Sequence, residues 1–226
     1  MSAGARGVAG GRPGRRSLVA LACVSAGCVG SLQAVARPPW VEDRSLALVA
    51  EHLRIDVAER EVEVDARFAF RSVGDARDRV MTFPIASPGG RARAFRATLE
   101  RTGRPPRVLR TWRASEGVLP TGDADDTYEI DVPALATTRG VWLRVRYRQS
   151  RRCRVAYVLR TGAYWRGPIG RLDVEVVDPE RRVVRAFVER RLPTQRDGRT
   201  FRWRFVNVEP HDGVLLHTCP RSPSPR

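Results

Sequence analysis

Lysine is absent from this chain of 226 residues. All 41 basic residues are arginine, set against 25 acidic ones, and the formal net charge is +16. Loss of one whole residue type fits codon bias in a G- and C-rich genome, so part of the arginine count is genomic background. Arginine is still not lysine: its planar fork pairs bidentately with carboxylate and phosphate. Long apolar runs are missing too. No stretch reaches the roughly 18 residues that a membrane-spanning helix needs. Histidine occurs three times and cysteine four times, which narrows the metal and nucleophile chemistry within reach. Hydrophobic residues make up 42%, an ordinary globular value that excludes wholesale disorder and low-complexity classes.

Acidic residues are also absent from residues 1–36, and there the absence reads as an address. Arg6, Arg12, Arg15 and Arg16 form a positive start, and Ser17 to Gly30 is small and apolar. Ala34-Val35-Ala36 then fits a small-x-small cleavage site. The expectation is a signal peptide over residues 1–36, cleaved after Ala36. A lead-in over 37–44, a β domain over 45–219 and a frayed tail over 220–226 follow. The product would be exported to the periplasm, cell envelope or exterior. Ser25-Ala26-Gly27-Cys28 offers an alternative, a lipobox in which Cys28 carries a lipid anchor. Arg15-Arg16-Ser17-Leu18 also has a weak twin-arginine character. Export leaves Cys153 and Cys219 as the remaining cysteines. An oxidising compartment favours a disulfide between them over a metal pair or two free thiols.

The rest of the chain alternates with period two. Leu53, Ile55 and Val57 alternate with Arg54 and Asp56. Val62, Val64, Ala66, Phe68 and Phe70 alternate with charged residues after a turn at Ala58-Glu59-Arg60. Val141, Leu143, Val145 and Tyr147 face one side while Arg144, Arg146 and Arg148 face the other. Phe201, Trp203 and Phe205 repeat the pattern. Residues 91–114 fit a hairpin through Thr102-Gly103, and Pro84 belongs at a strand end or sheet edge. About ten short strands with frequent turns and no strong amphipathic helix predict an all-β fold. Its form would be an antiparallel β-sandwich, immunoglobulin-like or enlarged.

The search for chemistry finds little. No Gly-x-Ser-x-Gly elbow is present. His52 alternates with Arg54 and Asp56 and belongs on the wet face. His211 sits in a Pro-His-Asp-Gly turn, and His217 precedes Thr218-Cys219. Zinc-type spacings are missing, so no metal and no cofactor are expected. Glu61, Glu63 and Asp65 line one strand face, where arginines of a neighbouring strand are their simplest partners. The stripe Arg144, Arg146 and Arg148 is the densest basic segment. It suits an anionic glycan or lipid headgroup better than nucleic acid, because Tyr147 points to the opposite face and offers the arginines no stacking platform.

The most distinctive stretch runs from Tyr157 to Gly170. It is either a tight corner whose Trp165 caps the core, or a surface loop presenting Tyr164, Trp165 and Arg166 to a partner. Here the chain resembles a family of exported bacterial proteins catalogued as a domain of unknown function. The likeness rests on Glu51-x-Leu53-x-Ile55, Val62-x-Val64-x-Ala66-x-Phe68-x-Phe70 and Phe83-Pro84. It is completed by Tyr157-x-Leu159-x-Thr161-Gly162-x-x-Trp165-x-Gly167-Pro168-Ile169-Gly170, and it covers about residues 45–177. Where relatives place asparagine after the second strand, this chain has Ser72-Val73-Gly74. The resemblance implies a β-sandwich outside the cytoplasm and brings no catalytic residues. A more distant likeness, of topology only, runs to the N-terminal β domain of zinc aminopeptidases. The His-Glu-x-x-His of those enzymes is absent.

These observations lead to an exported, non-enzymatic interaction or structural module with an envelope protein partner. Two alternatives stand beside it. One is an anionic glycan or lipid binder acting through the arginine stripe. The other is a hydrolase using His211, Asp212 or the strand carboxylates.

Overall fold

The computed structural model describes residues 45–73, 77–86, 91–114, 126–135, 140–159 and 165–219. The leader, the lead-in, the tail, Cys28 and Tyr164 lie outside them. Among the described residues there are fourteen strands and no helix. In chain order they are β1 (Leu46–Val57), β2 (Glu61–Ser72), β3 (Arg79–Ile85), β4 (Arg93–Arg101), β5 (Arg104–Val108), β6 (Thr111–Arg113) and β7 (Asp126–Val132). Then come β8 (Val141–Ser150), β9 (Arg154–Val158), β10 (Ile169–Val177), β11 (Arg185–Val188), β12 (Gln195–Asp197), β13 (Thr200–Val208) and β14 (Gly213–His217).

The fold is an all-β, sandwich-like one. Eight strands form one long sheet in the order β12-β13-β10-β1-β2-β8-β4-β5. Two three-stranded sheets, β11-β14-β9 and β3-β7-β6, cover one of its faces. The alternation read from the sequence decides which face is covered. Leu53, Ile55, Val62, Val64, Leu143, Val145, Leu172, Val174 and Trp203 are all buried on it. Phe83 of β3 is a node between layers, with ring contacts to Phe68, Tyr147 and Tyr157 at 6.0, 6.2 and 6.4 Å. Offset and edge-on aromatic pairs of this kind add ~0.5–1.5 kcal/mol each beyond burial.

The structure departs from the expected antiparallel layout at one pair. β1 and β10 run parallel, with Leu53 opposite Val174 and Ile55 opposite Val176. A parallel neighbour requires a long crossover, and here the chain builds most of the other strands before returning. Pairing direction leaves no trace in hydrophobic period, so the sequence pattern is silent on it. The extra strands have a similar cause. Pro105 and Pro106 lie in the exposed edge strand β5. An edge tolerates proline because one side of the strand needs no ladder donors. Pro84 lies in β3, the edge of its own sheet.

Cys153 and Cys219 are disulfide-bonded, 66 residues apart. They sit just before β9 and just after β14, two strands already paired through Arg154 opposite His217. The bond therefore closes the end of an existing ladder. In the loop-entropy picture a loop of this length contributes ~4 kcal/mol.

Candidate functional site

The uncovered face of the long sheet carries the charge. Because register is fixed by the buried face, the outward residues of neighbouring strands meet in rows. One row runs Arg204, Asp173, His52, Arg67 and Arg144 across β13, β10, β1, β2 and β8. The next runs Arg202, Glu175, Arg54, Asp65 and Arg146. Carboxylates on alternate strands are clasped from both sides. Asp173 accepts from Arg204 at 2.8 Å and Arg171 at 2.6 Å. Glu175 accepts from Arg202 at 2.9 Å and Arg54 at 3.0 Å. Asp65 takes Arg144 in a two-point contact, and the same guanidinium reaches Glu100 at 3.2 Å.

Between these rows lies an open cleft of about 790 Å³. Its lining includes Arg54, Arg67, Arg144, Arg171, Arg202 and Arg204, but only Asp65, Asp173 and Glu175 among acids. The cleft therefore carries an excess of positive charge. His52 lies in it, with Nδ1 3.4 Å from Asp173 and its ring edge-on to Trp142 at 5.1 Å. Partial burial lowers the pKa of His52. The charge of Asp173 pulls it upward, while Arg171, Arg67 and Arg204 push it further down. The imidazole is consequently held toward its neutral form with one nitrogen aimed at a carboxylate. Burial opposes ionisation of Asp173, but hydrogen bonds from Arg204 and Arg171 and their positive surroundings outweigh it, so its pKa is lowered.

On the covered face, one position along from His52, the chemistry reverses. Glu51 is fully buried, and its Oε1 accepts a hydrogen bond from the Tyr157 hydroxyl of β9 at 3.1 Å. Burial pushes its pKa up to about 8, with the Tyr157 bond acting the other way. Glu51 Oε2, the Tyr147 hydroxyl and Gln149 Oε1 are buried without a hydrogen-bond partner among the described residues. Glu51 thus enters the folded protein as a neutral acid bridging two sheets. Glu51 shares its face with Leu53 and Ile55, and no cation among the described residues offsets its burial.

The residues singled out from sequence fall into separate places. Arg144, Arg146 and Arg148 share the open face, but two of the three are engaged. Arg144 is held by Asp65 and Glu100, and Arg148 reaches Glu63 at 3.1 Å. Glu61 meets Arg93 at 3.6 Å, so the carboxylate row on β2 is matched to arginines. Trp165 is a half-buried corner residue packed edge-on against Phe70 at 4.9 Å. Arg166 is exposed and its backbone N–H bonds Leu46 O at 2.8 Å. Two glycines of this block serve geometry. Gly167 adopts a φ of +74°, and a side chain on Gly170 would meet the Val49 carbonyl at 2.6 Å. His211 and Asp212 immediately precede β14. Their backbone N–H groups cap Glu189, and the Asp212 carboxylate is held by Arg190 at 2.7 Å.

No protein-family model matches the chain, and no curated protein matches it. Among solved structures it is similar to yeast leukotriene A4 hydrolase in complex with bestatin. The TM-score is 0.47 and the identity 9%, over 79% of this chain and 30% of that one. It is also similar to a zinc metallopeptidase of Deinococcus radiodurans, with TM-score 0.40 and 11% identity over 77% of this chain and 43% of that one. The chain thus spans less than half the length of either protein. The expectation that the chain is not an enzyme is corrected to this extent: the structures concerned are a hydrolase and a metallopeptidase, at overlaps too low to argue an activity for this chain. The exclusion of enzyme activity is withdrawn. Overlap and identity this low supply no substrate and no mechanism.

Proposed function

We propose that the chain is an exported domain that binds an anionic ligand, a glycan or lipid headgroup, in the cleft around His52. The observation that carries this reading is the composition of the cleft, six arginines against three carboxylates. Low-dielectric walls and one sign of excess charge raise the local concentration of a ligand of the other sign. The carboxylates hold the guanidinium groups in fixed positions, so an incoming anion meets donors whose rotamers are already ordered. The Cys153–Cys219 bond supports an oxidising location.

The test is calorimetric titration with a sulfated oligosaccharide and, separately, with phosphatidylglycerol vesicles. Binding should fall steeply as salt rises and should be lost in Arg67→Gln/Arg171→Gln. Absence of binding to both probes at low salt would overturn the reading.

One observation favours a second reading, hydrolysis in the same cleft. An imidazole kept toward neutrality and oriented by a carboxylate is what a general base requires. His52→Gln would then abolish turnover of ester, amide or phosphoester substrates while leaving anion binding intact. No turnover by the parent protein on any of the three would dismiss it.

A further inference from the structure

Beside the cleft, on the same open face, three pairs of arginines stand directly opposite one another across adjacent strands. They are Arg67 with Arg144, Arg93 with Arg148, and Arg96 with Arg146. Like charges placed this way repel. In the first two pairs carboxylates intervene. Arg144 has Asp65 and Glu100, Arg67 approaches Glu100 at 3.9 Å, Arg93 has Glu61 and Arg148 has Glu63. The third pair has none: neither Arg96 nor Arg146 makes an ion pair or side-chain hydrogen bond with any described residue. The carboxylate opposite Arg146 on its other side is Asp65, and both of its oxygens are turned to Arg144.

The backbone is shaped around this pair. Arg93 and Arg96 are three apart, a spacing that places residues of a regular strand on opposite faces. A bulge between them inserts one extra residue, with Ala94 at a φ of +51°, and restores both to register with the arginines of β8. Left-handed backbone at alanine is unfavourable, and bulges recur where a side chain must be re-aimed. Phe95 is thereby turned inward, stacked on Tyr128 at 4.0 Å, while Arg96 stays outside.

We propose that Arg96 and Arg146 form a second anion site, distinct from the cleft, that takes a single tetrahedral oxyanion group, a phosphate or a sulfate. Two planar forks on adjacent strands offer paired N–H donors to one such group, and the group removes the repulsion between them. The site does not depend on what the cleft binds. It lies next to Arg144 on β8, a residue of the cleft wall, so a ligand with several anionic groups would span both.

The experiment follows the arginine Nε–Hε signals of the full chain by NMR. Inorganic phosphate and inorganic sulfate are added in turn at constant ionic strength set with chloride. Saturable shifts shared by Arg96 and Arg146, lost in Arg96→Gln and in Arg146→Gln but kept in Arg204→Gln, are expected whether or not the cleft arginines shift as well. Sulfate and phosphate acting alike identifies a general oxyanion site; phosphate alone identifies a phosphoryl site. Thermal melting supplies a second readout. Arg96→Gln should raise the melting temperature without added anion and abolish the rise that phosphate produces in the parent. Non-saturable shifts spread over all arginines, or a phosphate-dependent rise that survives in both variants, would overturn the site. Shifts confined to Arg67, Arg171 and Arg204 would also overturn it while supporting the cleft.

Discussion

Glu51 and His52 are neighbours in sequence and belong to opposite worlds. Glu51 points into the layer between sheets, where burial pushes its pKa up to about 8 and a tyrosine is its one hydrogen-bond partner. His52 points to the open face and leans on Asp173, a carboxylate whose pKa is lowered by two arginine hydrogen bonds. Carboxylates therefore do opposite things on the two sides of one sheet. Inside, desolvation favours the protonated acid, and no cation among the described residues offsets it. Outside, the acids accept hydrogen bonds from arginines and order them around a cleft. The lesson is that the long sheet buries its apolar residues on one face and carries its charged rows and cleft on the other.

The bluntest way to break this contrast is to truncate adjacent residues. Leu53→Ala, on the covered face, should cost ~2–5 kcal/mol. Arg54→Ala, on the open face, should cost under ~1 kcal/mol, because its side chain is half exposed and its partners are solvated. Equal losses of urea midpoint for the two would erase the distinction.

The next test uses pH. The folded state keeps the Glu51 proton up to about 8, whereas the unfolded chain releases it near 4.5. Between those values the folded state binds more protons, so Glu51 lowers stability as pH rises, by ~1.4 kcal/mol per pH unit. Above pH 8 its contribution levels off. Glu51→Gln should flatten this part of the profile and leave the variant more stable than the parent in alkaline buffer. A parent and variant with parallel profiles would show that Glu51 is ionised in the fold.

Asp173 should do the reverse on the acid side. Its pKa is depressed, so the stability it confers is present above its ordinary carboxylate range and is lost as pH falls through the folded value. Asp173→Asn should shrink acid sensitivity, remove the orientation of His52 and shift the imidazole titration to lower pH. An unchanged His52 titration would show that the pair is not formed in solution.

The smallest effect is expected at Glu63 and Arg148, both substantially exposed and 3.1 Å apart. A double-mutant cycle there should give a coupling of ~0.2–1 kcal/mol that fades with salt. A coupling several times larger would mean that the open face contributes to stability as a network.

Much of the molecule was legible beforehand. Val62 to Phe70 and Val141 to Tyr147 could be sided correctly because a period of two has one consequence: alternate residues share a face. The match of Glu63 and Asp65 to arginines of the neighbouring strand β8 followed from the same rule, whereas Glu61 reaches past β8 to Arg93 of β4. Trp165 was open between corner and contact residue, and the structure shows it half-buried against Phe70. The cleft was not legible. It is assembled from β1, β2, β8, β10, β12 and β13, and its residues span the chain from His52 to Arg204. Arg96 escaped notice for a related reason, since only the bulge at Ala94 returns it to the row of Arg146.

The sequence by itself determined that the chain forms strands, which side of each strand is wet, and that Glu51 lies with the apolar residues. These are local properties, carried by the spacing of side chains along one strand. Tertiary structure alone decided that β1 pairs with β10 in parallel, that Glu51 meets Tyr157, and which arginines hold a carboxylate. These depend on strand order and register, and a register is set by the whole buried face at once.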